Sequence, residues 1–428
     1  MSTTPLHVSR RTLFTGAGAL GLTAFLASCS GGDSSTPAAS GDPSSAAAAA
    51  QELTLWMDSA FTDAMTKTVE GFSTEYGVNL AVQPKEFGAM LANFQQAAPA
   101  GSGPDLLDVN IDFVGPLVNA QLVQALDFGA KLSDLDERAI TGYTVAGKQY
   151  GLPLAVEATN FWRNPTLVPQ PVTTWDDLAK VGADLLAKGV KYPIVIDNNA
   201  YIWQGAMTAF GGYVFKQNSD GSYDTQDVGV DNAGSVAALQ WLADAVRGGY
   251  VAYAGASDNS GLSVSALSDA WGAGQIGIHF SGPWMLDTYG ETGNYAIDAI
   301  PDGPAGKAVS WLSARGLVVN AASPNAALAA TFLTSYLAAP EPMTTWAQTT
   351  SKLSAWVPVQ ESAADDTTKA FGAASTNAQP IPQNAELAGF WGPATSSLLL
   401  IQQGKSSPQE AAKTAGDAFR AAITQAGS

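Results

Sequence analysis

The sequence predicts an α/β protein built as two lobes, and three observations point there. From Glu52 onward, short apolar runs alternate with longer stretches of helical periodicity, the pattern of a parallel-rich sheet with crossover helices. The same alternation restarts after Glu157, which marks a second sheet and puts a crossover near Ala155 to Ala158. Finally, the 428 residues hold a single cysteine, Cys29, so no disulfide forms within the chain and stability must come from packed cores.

Taken in order, Leu53-Thr54-Leu55-Trp56-Met57 reads as the first strand. Phe61 to Tyr76 follows as a helix with Phe61, Met65, Val69 and Phe72 along one face. Val78 to Val82 is a second strand, Met90 to Ala98 a helix, and Asp105 to Val109 a third strand after Gly103-Pro104. In the second half, Phe161-Trp162 ends a strand. Trp175 to Lys188 is a helix capped by Thr174, with Asp176 and Asp177 against the positive end of its dipole. Tyr192 to Ile196 is again a strand, and Ala206 to Phe210 belongs to a helix that stops at Gly211-Gly212. Lys216 to Asp227 is a hairpin about Asp220-Gly221. Asp231 is expected to cap the helix from Ala233 to Arg247, which Gly248-Gly249 terminates. Ligand sites in such sheets lie at the carboxyl ends of the strands.

Composition removes several function classes. With 20 Lys and Arg against 38 Asp and Glu, the net charge is −18, which argues against nucleic acid or an anionic membrane surface as partner. Beyond residue 28 the only histidine is His279, in the alternating run Gln275-Ile276-Gly277-Ile278-His279-Phe280, where it reads as a structural histidine in a strand. No histidine cluster, EF-hand loop or Gly-x-Ser-x-Gly elbow is present, so no metal, cofactor or catalytic triad is expected.

The amino terminus carries an address. Ser9-Arg10-Arg11-Thr12-Leu13-Phe14 places paired arginines before an uncharged run, Leu13 to Leu26, that closes on Leu26-Ala27-Ser28-Cys29. That run has 14 residues, short of the ~20 that span a bilayer. A basic start, a short apolar core and small residues at the cut site describe an export leader of the twin-arginine type. The arrangement resembles the bacterial lipoprotein signal, which implies a leader at 1–28, lipid on Cys29, and a flexible Gly/Ser/Ala/Pro tether over 29–50. The expected location is the outer face of the cell membrane, held there by the lipid.

Further along, a series of runs resembles one known family. They include Gly103-Pro104-Asp105, Tyr150 through Ala158, Gly211 through Lys216, Asp227 through Gly234, Gly282-Pro283-Trp284, Asn320 through Asn325, and Phe390-Trp391. Single pieces are unspecific, but their order from about Leu53 to Phe419 is similar to that of the extracellular solute-binding proteins of ABC importers, and within them the maltose/maltodextrin binders. The resemblance implies a two-lobed periplasmic-binding-protein-like fold with a hinge and an interlobe cleft. It assigns 51–156 with 315–360 to the first lobe and 157–314 with 361–428 to the second. A monomer would capture an oligosaccharide in the cleft and deliver it to a membrane permease.

A sugar presents apolar ring faces and a rim of hydroxyls, so its site needs aromatic plates and paired polar groups. By resemblance Asp112 and Glu157 are hydroxyl-binding carboxylates, Trp284 and Trp391 are stacking plates, and Tyr201 is a further stacking ring. Trp203 is a cleft tryptophan displaced slightly along the chain. Each also has a plainer reading: Asp112 as a helix cap, Glu157 as a hinge residue, and the tryptophans as core. Trp175, Trp241 and Trp346 fall in helical patterns and read as packing residues. Several positions depart from the family. Its first loop carries an aspartate–lysine pair, whereas Trp56 to Asp63 has no lysine and Asp58 is the candidate substitute. Pro84-Lys85-Glu86 does not align cleanly with family ligands, and Phe113 and Thr395 stand where the family has arginines. The exact sugar stays open, with trehalose or sucrose as alternatives to maltodextrin. A secreted glycoside hydrolase using Asp112 and Glu157 is the rival from another class.

Overall fold

Two β-sheets carry the fold, each rich in residues buried on both faces. The computed structural model describes residues 51–426 apart from 220, 257, 351, 363 and 364. The leader, Cys29 and the tether fall outside the described residues, as does Asp220 of the hairpin turn. In chain order the strands of the two sheets are β1 (Gln51–Asp58), β2 (Val78–Lys85), β3 (Leu106–Asn110), β4 (Gly151–Ala158), β5 (Asn160–Arg163) and β6 (Tyr192–Asp197). They continue as β7 (Val251–Ala254), β8 (Ile276–Ser281), β9 (Ala296–Asp298), β10 (Trp311–Val319), β11 (Leu353–Ser354) and β12 (Gln379–Pro380).

The first sheet runs β11-β4-β10-β3-β1-β2, with β12 beside β10; the second runs β7-β6-β8-β5-β9. In the first, β1 is parallel to β2 and β3, and β10 returns antiparallel between β3 and β4. The chain passes from one sheet to the other at Thr159, directly after β4, and returns between β9 and β10. Because β10 begins at Trp311 and β12 pairs with it, the first sheet draws on residues either side of 315 and beyond 360.

Near-continuous apolar strands suit sheets covered on both faces, and β3, β4 and β10 are of this kind. One polar exception in β3 organises the sheet. The Asp108 side chain is wholly buried, and its carboxylate receives Arg315 of β10 at 2.6–3.1 Å; Arg315 also reaches Oδ2 of Asp58 at 3.0 Å. Phe61 and Phe87 lie 4.5 and 4.6 Å from the guanidinium carbon. Three strands are thereby fastened by one buried cation.

The helices follow the sequence closely, with two corrections. The first expected helix is interrupted at Val69 and continues as Thr62–Thr68 and Glu70–Tyr76. Asp231 does not cap Ala233–Arg247; Asn232 does, accepting from Ser235 N at 2.8 Å, because Asp231 is taken by Arg420 at 2.6 Å. Thr174 caps Trp175–Ala187 as expected. His279 is fully buried, with one ring nitrogen 2.8 Å from the Tyr289 hydroxyl and the other 2.8 Å from Oδ1 of Asp197. Both nitrogens are occupied in packing the second sheet, which removes it as a free catalytic base. Trp175 and Trp346 are core, and Trp241 packs edge-on against Trp175 at 4.6 Å.

Candidate functional site

The carboxyl ends of several strands converge on one cavity of about 510 Å³, within the ~300–1,000 Å³ typical of small-ligand sites. Both sheets contribute to it. From the first come Asn110 at the end of β3, Asp112 and Phe113 just after it, Glu157 of β4 and Ser313 of β10; from the second come Asn199 and Tyr201 after β6 and Trp284 after β8. Ile381, Trp391 and Thr395 complete the wall. The structure thus brings together Asp112, Glu157, Tyr201, Trp284 and Trp391.

Each is held by local geometry. Asp112 lies in the first turn of Ile111–Asn119 rather than capping it. Asn199 caps Ala200–Ala209, accepting from Tyr201 N at 2.8 Å. The Tyr201 hydroxyl then donates to the carbonyls of Glu157 and Trp311, at 3.2 and 3.1 Å, linking this helix to the first sheet. Burial and the Glu157 charge push that hydroxyl well above its usual range, so it stays a donor. Trp284 follows β8 on the turn Pro283–Met285, anchored by Trp162 Nε1 donating to Gly282 O at 2.9 Å. The Trp284 ring folds over Gly282, where a Cβ would sit 2.2 Å from it. Trp391 opens the helix Trp391–Gln402 and packs edge-on against Trp311 at 5.5 Å.

Two candidates belong elsewhere. Trp203 is 5 % exposed and packs edge-on against Trp175 in the core, because two residues along a helix turn it away from the face of Tyr201. Asp58 ends β1, accepts from Ala60 N at 3.0 Å and pairs with Arg315; it does not line the cavity. Asn110, Asn199, Ser313 and Ile381 also line the cavity; short polar residues near strand ends and a single isoleucine carry no distinctive sequence pattern. Phe113 and Thr395 occupy the wall as the departures noted above.

The polar chemistry is unusual in being unpaired. Oδ1 of Asp112, Oδ1 of Asn110 and Oγ of Ser313 are buried without a hydrogen-bond partner among the described residues. Burial drives the Asp112 carboxyl from its ordinary 3.8 up to about 6, offset in part by its own backbone N–H. The native state therefore binds this proton more tightly than the unfolded chain does. The stability it contributes is present below about pH 4 and lost as pH rises through about 6. Asp112→Asn is expected to stabilise the ligand-free protein by up to about 3 kcal/mol at neutral pH and to change nothing below about pH 4. Thermal midpoints of both proteins across that range test this; equal midpoints at neutral pH would show the carboxylate to be solvated.

Among the described residues no group of three or more His, Cys, Asp or Glu is arranged to hold a metal, and no helix is long and apolar enough to cross a membrane. What the cavity offers is flat aromatic surface beside carboxylate, amide and hydroxyl groups.

Sequence comparison bears on the same region. The profile of the bacterial extracellular solute-binding protein family matches residues 67–376. The chain belongs to that family. A galactooligosaccharide-binding protein of Bacillus subtilis (strain 168) is 28% identical over 388 residues, covering 87% of this chain and 89% of the relative. A maltooligosaccharide ABC transporter solute-binding lipoprotein of Streptococcus pneumoniae (strain ATCC BAA-255 / R6) is 25% identical over 420 residues, 94% of each chain. Among solved structures, a cyclo/maltodextrin-binding protein complexed with maltotetraose superposes with a TM-score of 0.75 at 21% identity, covering 87% of this chain and 97% of that one. This solute-binding protein therefore has the two-lobed periplasmic-binding-protein-like fold, with its cavity lined from both sheets.

Proposed function

We propose that the protein is the extracytoplasmic receptor of an ABC sugar importer, capturing an oligosaccharide in the cavity and presenting it to a membrane permease. The observation that supports this reading best is the cavity lining, in which Tyr201, Trp284 and Trp391 share one space with Asp112 and Glu157. Aromatic rings cover the apolar faces of a sugar, while carboxylates accept its hydroxyls. Maltose or a maltodextrin is the leading ligand, in keeping with the names of two relatives. A galactooligosaccharide is the second reading, favoured by the 28% identity to a protein named for that ligand.

In this reading the lobes close over the ligand about the crossings between the sheets, and the closed form signals occupancy to the permease. The ligand leaves chemically unchanged. The protein acts as a monomer tethered through lipid on Cys29, which keeps the receptor near its permease. A sugar hydroxyl donating to Asp112 favours the ionised carboxylate, so binding releases a proton and affinity falls as pH drops below about 6.

Ligand that binds only the folded state raises the melting temperature with concentration, by about 2.7 kcal/mol of stability at one hundred times Kd. A thermal-shift screen over maltose, maltotriose, trehalose, sucrose, galactooligosaccharides and xylo-oligosaccharides is expected to show that rise with maltotriose. No shift with any glucoside would end the maltodextrin assignment. Release of reducing sugar on prolonged incubation with maltotriose would instead reveal a hydrolase.

A further inference from the structure

Two cations lie in the first sheet near the site, and they are held differently. Arg315 donates through Nε and Nη2 to Asp108 and Asp58, with aromatic rings over the guanidinium. Lys352 is different. Its side chain is only 13% exposed, yet Nζ makes no hydrogen bond among the described residues. It lies 3.7 Å from Oε2 of Glu157 and 5.7 Å from the centre of the Phe61 ring. At 3.7 Å the charges attract, but the separation is too long for a hydrogen bond.

Strand register explains how the pair forms. Leu353 of β11 pairs with Val156 of β4, and Ser354 with Ala155, so the antiparallel register extends to set Lys352 opposite Glu157. On the other side of β4, Ser313 of β10 pairs with Glu157 directly. Residues opposite one another on neighbouring strands share a face of the sheet. An ammonium, a carboxylate and a hydroxyl therefore form a row across β10, β4 and the residue that leads into β11. Glu157 and Ser313 both line the cavity, and Ser313 Oγ is buried without a partner.

A half-buried ammonium that makes no hydrogen bond has donors to spare for a ligand. A single hydroxyl fits the pair, because it accepts and donates at once. Its oxygen can lie about 2.8 Å from both Nζ and Oε2, which a 3.7 Å gap accommodates as the base of a triangle. We propose that Lys352 and Glu157 act together as a clamp for one ligand hydroxyl, which makes Lys352 a specificity-determining residue of the cavity. This rests on the sugar-binding reading above. The clamp requires that hydroxyl to carry its proton and to be present: a deoxy ligand leaves the ammonium unbridged, and an O-methyl ligand cannot donate to Glu157.

The test is a thermodynamic cycle on the whole protein. Wild type and Lys352→Met are titrated calorimetrically with maltotriose and a galactotriose, and with mono-deoxy and mono-O-methyl analogues of each. Lys352→Met is expected to weaken the parent sugar roughly 10- to 100-fold. Wild type is expected to reject one deoxy analogue by a similar factor, and Lys352→Met to bind that analogue and its parent within about twofold. Circular dichroism and the ligand-free melting temperature confirm that the variant is folded. A Lys352→Met variant that binds the parent sugar like wild type overturns the clamp while leaving the sugar reading intact. So does one that loses the same factor for parent and every analogue, which is the mark of a structural role. Wild type that binds none of these sugars overturns both.

Discussion

Trp284→Ala combined with Trp391→Ala is expected to weaken sugar binding by roughly three orders of magnitude and leave the fold in place. Burying an aromatic face against an apolar sugar face contributes about 2 kcal/mol per plate from area and ring geometry together, or roughly 30-fold in Kd. The two rings stand on different elements, one after β8 and the other opening the helix Trp391–Gln402, so their effects should add. Both are only partly buried and face a cavity, so removing them exposes little core. Trp203→Ala is the control: at 5 % exposure and packed on Trp175, it should cost about 3–5 kcal/mol of stability. Calorimetric titration and denaturant midpoints on the three proteins separate the cases. Unchanged titrations of the double variant would show that the plates are elsewhere.

The contrast between Trp284 and Trp391 on one side and Trp203 on the other shows where sequence reasoning works and where it stops. Strands such as Leu106–Asn110 and Tyr192–Asp197 were legible because their apolar runs have local causes, and so were the loops they deliver to the cavity. Asp112, Tyr201 and Trp284 come to the cavity for that reason. Family position taken without helical phase misplaces Trp203, because residues two apart on a helix face different ways. The partner of Asp58, Arg315, lies 257 residues away, and nothing local announces a buried ion pair at that separation. The place of Lys352 is equally non-local, since it follows from a two-residue strand paired at the edge of β4. Asp and Asn are near-equal caps, and only the distant Arg420 decides which of the neighbours Asp231 and Asn232 is free to act.

Arg315→Met is expected to be the most destabilising single change in the first sheet, at about 3–5 kcal/mol, because it strands the wholly buried Asp108 carboxylate. Asp58, with a side chain 16% exposed, regains water more easily. Replacing Asp108 by Leu in the same protein should recover part of the loss, since an apolar side chain of similar volume removes the uncompensated charge. The cavity should also respond. The guanidinium lies against Phe87, Phe87 stacks on Phe113 at 5.7 Å and 18°, and Phe113 lines the cavity. The Arg315→Met, Asp108→Leu protein is therefore expected to regain stability without fully regaining affinity. Denaturant midpoints together with sugar titrations on the single and double variants test both parts. A loss below about 1 kcal/mol for Arg315→Met would place the pair in the range of solvated surface ion pairs, and the joining of β1, β3 and β10 would then rest on aromatic packing instead.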